Sequence, residues 1–441
     1  MSENVQKTLR DSAALRWLAL ILLAGAMFCS YIFMDILSPI KDLMWDTKGW
    51  DSTAFGTMQG SETFLNVFVF FLIFAGIILD KMGVRFTAIL SGAVMLVGAT
   101  INWYALTDMF AGSNLEVWFN EHLNYIPGFD ELGVSPFYKG MPASAKFSAI
   151  GFMIFGCGVE MAGITVSRGI VKWFKGREMA LAMGSEMALA RLGVATCMIF
   201  SPMFARLGGE VSVSRSVAFG VVLLMIALIM FIVYAFMDKK LDSQTGEAEE
   251  KDDPFKLSDL GKILTDSGFW LVALLCVLYY SAIFPFQKYA VNMLQCNLVF
   301  HQVDPSSIWA SNTITIIQYV IMLVVAACAF ASNFSKNKVA KYGLMGAAIV
   351  ALVVFCYMGY MRQSAETVFA VFPLLAVGIT PILGNYVDHK GKAATMLVLG
   401  SLLLIACHLT FAFVLPAFKG SEVGGIIVAY ITILVLGASF S

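Results

Sequence analysis

GIILDKMGVR, residues 76–85, sits between two apolar runs, and its pattern returns at 384–392 as GNYVDHKGK. Both read G-x-x-x-D-x-x-G with a basic residue close behind. That composition suits a tight polar turn between two long helices. Glycine adopts the backbone such a turn requires. The aspartate can face the positive start of a neighbouring helix. One copy would be an ordinary short loop. Two copies, one early and one late, read as an internal repeat, and repeated helical units are typical of secondary transporters. The repeat marks Gly76, Asp80, Gly83 and Arg85 in the first copy, and Gly384, Asp388 and Gly391 in the second, as gating or conformational residues.

The runs on either side define the solvent. Hydrophobic residues make up 59% of the 441-residue chain and charged residues 13%, with a mean hydropathy of +0.80. A soluble domain carries roughly 25% charged residues, so most of these side chains cannot face water. The alternating pattern of a transmembrane β-barrel is absent. The eight cysteines lie mostly inside apolar runs with no CxxC spacing, and the four histidines are scattered, so neither a disulfide framework nor a metal cluster is indicated. No Walker, nucleotide or haem motif is visible, and no cofactor or enzymatic activity is expected. A net charge of −1 says little about partners, and with no basic patch nucleic acid is not expected as one.

Spans of roughly 20 apolar residues cross a bilayer as helices. They are expected at 14–37, 62–80, 86–107, 146–173, 177–205, 214–237, 268–294, 307–332, 340–361, 366–387, 393–416 and 423–441. Lys and Arg gather at 7–16, 81–85, 172–177, 239–262, 336–341 and 390–392. These outnumber the basic residues of the alternate loops roughly two to one, which places the N-terminus in the cytoplasm. The polar stretch 238–267 is expected to be a cytoplasmic linker, with a short amphipathic piece near 255–263. It divides an N-terminal six-helix bundle, 1–237, from a C-terminal bundle, 268–441.

Two charges lie where the lipid is deepest. Glu160 is at the centre of the fourth span and Arg191 at the centre of the fifth, and the short turn KGRE makes the two spans antiparallel neighbours. A charge at the centre of a helix costs roughly 2.5–3.5 kcal/mol on insertion scales. Packed helices lie about 8–10 Å apart, so the two side chains could meet. Two readings follow from the charges alone. The pair is a structural bridge between helices, or it binds the two ends of a zwitterion such as a dipeptide, which spans at most about 7 Å.

The repeated loop resembles the signature between the second and third helices of each half in the major facilitator superfamily. The resemblance implies two helical bundles with a site between them near the midplane and alternating access by rocking. In the second half the loop follows the fourth span rather than the second. The stretch about 300–365 is therefore expected to be an insertion of two helices, and the last two helices are expected to be absent after Ser441; an irregular twelve-helix protein is the alternative. The segment Gly156 to Gly193 resembles the lysosomal dipeptide transporter branch through G-x-G-x-E, W-F-K-G-R-E and A-R-x-G. In that branch the acid and the arginine serve the two ends of the peptide, and they match Glu160 and Arg191. YIFMD, ending at Asp35, and YYSAIFPF, from Tyr279, resemble its first and seventh helices. The resemblance does not extend over 300–365.

Further candidates carry open readings. Asp35 is a ligand or a hydrated vestibule residue. Lys288 snorkels outward or faces Glu160 and a substrate carboxylate. Tyr280 is a ligand or a packing aromatic. Arg168 and Glu186 depart from the branch pattern and form an inner gate or a compensating bridge. The expected protein is an all-α polytopic major facilitator fold that moves small peptides, with protons as an open second partner, in a bacterial inner membrane or an organelle membrane. Alternatives are an anion or sugar-acid carrier using Arg191, Arg168 and Lys288, and a non-transporting scaffold or receptor. The branch pairs with an accessory glycoprotein; the residues leave any such subunit open.

Overall fold

The computed structural model describes residues 8–245, 257–335, 337–390, 393–421 and 423–440. The long helices are α1 (Ala13–Met34), α2 (Phe71–Ala105), α3 (Ala143–Phe174), α4 (Met179–Ala205) and α5 (Val213–Thr245). After the short helix Leu257–Thr265 come α6 (Ser267–Asn297), α7 (Asn312–Phe334), α8 (Lys338–Met361), α9 (Ala365–Lys390), α10 (Ala393–Leu409) and α11 (Gly424–Phe440). Nine helical stretches among the described residues are long and apolar enough to cross a membrane, and Ala365–Thr380 and Gly424–Phe440 are shorter apolar helices. Large apolar side chains such as Phe236, Leu271 and Val277 stay exposed, as lipid-facing side chains of spanning helices do.

One expected span is broken. Residues 62–80 do not form a single helix. The chain runs as Ser52–Gly60, a 3₁₀ turn Ser61–Thr63 and Phe64–Phe68, and then stops at Val69 and Phe70. Phe70 has φ 57, a left-handed backbone that a bulky side chain rarely adopts. The helix resumes at Phe71, and α2 is two helical stretches that meet at a kink in the first signature loop and end at Ala105. Within it only Gly83 leaves helical geometry, with φ 79. Gly83 is therefore the turning point expected of the loop, while Gly76 lies within the helix. In the second copy Gly384 and Asp388 lie in α9, which runs to Lys390, as Gly76 and Asp80 of the first copy lie in α2. Gly391 lies outside the described residues.

The contacts divide the chain into two units, 1–33 with 43–186 and 212–281, and 34–42 with 187–211 and 282–441. In the first unit α2 packs on α3 and α5. Glycines bring the backbones together: a Cβ on Gly98 would lie 2.5 Å from the Gly151 carbonyl oxygen, and one on Gly151 would lie 2.6 Å from that of Gly98. Small residues at such crossings are how membrane helices approach closely. Gly156 lies against the Glu62 backbone, so α3 seats the 3₁₀ turn directly. Gly156→Ala is expected to lower the thermal midpoint in detergent, because a methyl driven into backbone costs about 1–3 kcal/mol. Gly163→Ala, which would meet no atom within 4 Å, is the control.

In the second unit α7 packs on α8, α9 packs on α7, α8 and α11, and α10 packs on α11. The two helices within the stretch 300–365 are α7 and α8, and both belong to this packing. Gly437 of α11 meets the Phe372 carbonyl and Leu375 of α9. Tyr430 donates to the Cys356 carbonyl at 3.0 Å, tying α11 to α8.

Candidate substrate site

Glu160 sits near the centre of α3, half-buried, one turn beyond the glycine that touches Glu62. The broken segment 52–68 packs along α3 here. It carries Gln59 and Asn66, whose side-chain amides are buried with no hydrogen-bond partner. Buried amides without partners are rare, and irregular backbone at membrane depth is tolerated where it is buried in protein or lines a water-filled cavity. Within its unit, and among the described residues, Glu160 forms no ion pair. In the second unit Arg191 lies on α4 with its guanidinium 4.2 Å from the centre of the Phe440 ring of α11. A cation over an aromatic face is attracted by the ring's negative face.

Asp35 and Lys288, expected as separate candidates, meet in the second unit. Lys288 Nζ lies 2.8 Å from Asp35 Oδ1 and donates to the Met34 carbonyl at 2.7 Å. Asp35 is fully buried and also accepts from Gln287. It is a buried acid rather than a hydrated vestibule residue. Asn292 donates to Asp42 at 2.7 Å, and the Lys41 ammonium lies 5.7 Å from the Tyr289 ring centre. Residues 34–42 are thus joined to α6 through Gln287, Lys288, Tyr289 and Asn292. Tyr280 belongs to the first unit and is exposed, with its ring 6.2 Å from that of Tyr279.

The first signature loop is anchored inside its own unit. Asp80 accepts from Arg168 of α3. Glu186 is buried on α4. Arg85 pairs with Asp242 at 2.7 Å, and Lys172 pairs with Asp238 and Asp242, each at 2.7 Å. Trp173 Nε1 donates to Asp238, which is fully buried. Sequence reasoning missed this network because it placed Asp238 at the head of a solvated linker, whereas α5 runs on to Thr245. The signal was the four-residue spacing of Asp238 and Asp242, which puts both on one helix face. Among the described residues no three His, Cys, Asp or Glu side chains gather as a metal site.

The profile of the Major Facilitator Superfamily matches residues 23–365. The chain belongs to the major facilitator superfamily. The match includes 300–365, the stretch that the sequence pattern sets apart. Among relatives of this superfamily member, the lysosomal dipeptide transporter MFSD1 of Gallus gallus is 29% identical over 145 residues, 31% of this chain and 32% of that protein. MFSD1 of Homo sapiens is 24% identical over 280 residues, 62% of this chain and 52% of that protein. The matched stretches thus span about half or less of these relatives' length. A crystal structure of tetrameric PepTSo2 aligns with a TM-score of 0.43 at 15% identity, covering 96% of this chain and 89% of that one.

Proposed function

We propose that this superfamily member is a secondary transporter of small peptides, dipeptides foremost, working by alternating access. Glu160 holds the peptide ammonium and Arg191 the carboxylate. The observation that carries this reading is Glu160: a half-buried carboxylate near the centre of a spanning helix, beside a broken helix with two orphaned amides and without an ion pair in its unit. An acid at that depth is a functional group by default. The named relatives that carry peptides support the same substrate class. Lys288 is held by Asp35 and the Met34 carbonyl, which removes one cation from the set an anion carrier would use. From the distribution of Lys and Arg we place the N-terminus in the cytoplasm, with the protein in a bacterial inner membrane or an organelle membrane. The second signature loop, Gly384 to Gly391, and the loop at Asp80 serve as conformational elements of the two halves.

Counterflow in proteoliposomes tests the reading. Vesicles preloaded with unlabelled dialanine are expected to accumulate labelled dialanine, and N-acetyl-dialanine or dialanine amide outside is expected to compete weakly. Equal competition by the end-blocked peptides would show that the zwitterion ends are not what is recognised.

A further inference from the structure

The second unit contains a cavity of about 940 Å³ lined by the end of α4, the end of α6, residues 300–312, the start of α7 and the turn between α8 and α9. All of its lining residues belong to that unit. Its lining on α4 begins at Met198, seven residues beyond Arg191 and about 10 Å along the helix, and ends at Arg206 on the rim; Arg191 itself does not line it.

Its charged groups are not equivalent. The two acids are already engaged. Asp304 accepts from the backbone and the hydroxyl of Ser306, which hold its carboxyl below the usual carboxylate range. Glu366 is buried and accepts from Ser364 at 2.8 Å. The bases keep donors in hand. Arg362 uses one terminal nitrogen on Gln318 at 3.0 Å, and its Nε is buried without a partner. Gln318 is itself fully buried and fixes the guanidinium from behind. Arg206 is exposed on the rim. A half-buried guanidinium against a polar cavity, with terminal donors beyond the one used on Gln318, can take a further acceptor.

We propose that this cavity is a second solute site that binds small carboxylate-bearing solutes through Arg362, with Arg206 adding positive potential at the rim. The carboxylate would take the guanidinium edge, and the neutral side chains of Gln295, Asn312 and Thr315 would supply further hydrogen bonds. Glu160 is not among its lining residues, and the proposal does not depend on peptide transport.

Hydrogen exchange read by mass spectrometry on the purified full chain, with N-acetylalanine as probe and alaninamide as the cationic control, tests it. N-acetylalanine is expected to slow amide exchange in segments 300–318 and 362–367, saturably, and alaninamide is not. Arg362→Gln is expected to raise the concentration needed for half the protection about ten-fold or more, as loss of a charge-assisted contact does. Arg362→Lys keeps the charge and loses the planar fork, so it is expected to fall between the two; it reads the same segments should the glutamine variant fail to fold. Protection by both probes alike, protection elsewhere only, none at all, or full protection in both variants overturns the proposal. Counterflow of dialanine is a separate measurement, so failure here and failure of the midplane reading are distinguishable.

Discussion

Glu160→Gln lowers dialanine uptake at sub-saturating substrate by about 100-fold or more, and leaves the thermal midpoint of the purified protein unchanged or raised. The two halves of this result discriminate between the readings of the midplane charges. Removing one partner from a buried charge pair costs about 3–5 kcal/mol. If the partner is the substrate ammonium, that loss falls on binding, where each 1.4 kcal/mol is about a factor of ten. If the partner is a protein cation, the same loss falls on folding. Glu160 has no ion pair within its unit among the described residues, so neutralising it strands no cation there. It also removes a charge that costs about 2.5–3.5 kcal/mol to place at the centre of a spanning helix. A drop in midpoint with uptake retained would identify a structural bridge and end the peptide assignment.

Arg191→Gln is expected to give a matching loss, and Arg191→Lys a partial one, because lysine lacks the fork that grips a carboxylate at two points. The substrate completes the cycle. Dialanine amide lacks the carboxylate, so its weak uptake is expected to be the same in the wild type and in Arg191→Gln. N-acetyl-dialanine is expected to be equally indifferent to Glu160→Gln. Crossed sensitivity, with the amide responding to Arg191 and the acetylated peptide to Glu160, would mean that the residues act through something other than the peptide ends.

The helices that are legible in the sequence are those that a bilayer imposes by itself. The stretch expected at 146–173 is the helix Ala143–Phe174, and 86–107 ends as α2 does at Ala105, because long charge-poor runs have no other stable form in lipid. Gly83 was legible as a turn because glycine announces a positive φ. Phe70 does the same without any such signature; nothing in a phenylalanine forecasts a left-handed backbone, so the break in the second span could not be read. The second signature copy matches the first as far as it is described: Gly384 and Asp388 lie in α9 as Gly76 and Asp80 lie in α2, and Gly391, the counterpart of Gly83, is outside the described residues. Pairings were the least legible. Asp35, Lys288, Arg168 and Asp80 were each visible as charges in or beside apolar spans. Which one meets which is decided by packing between residues as far apart as Asp35 and Lys288, and no local pattern encodes it.

Asp35→Leu and Lys288→Met are each expected to lower the thermal midpoint sharply, and the double variant to recover most of the loss. Asp35 is fully buried, and Lys288 is bound to it and to the Met34 carbonyl. Either single change leaves an uncompensated charge, which costs about 3–5 kcal/mol, whereas an apolar pair of similar volume replaces a buried ion pair at little or no cost. Additive losses in the double variant would show that the two side chains do not depend on each other. A second readout follows the segment 34–42. Cys197 is fully buried in the same unit, close enough for the charges of Asp35 and Lys288 to act on its thiol. Its maleimide labelling, resolved by mass spectrometry from that of the exposed Cys276 and Cys296, is expected to quicken in each single variant. In the double variant apolar contact replaces the pair, and labelling returns towards the wild-type rate. Stability restored with labelling still fast would separate the two effects: the ion pair would then be what holds residues 34–42 against α6, and packing alone would not suffice to keep that seam closed.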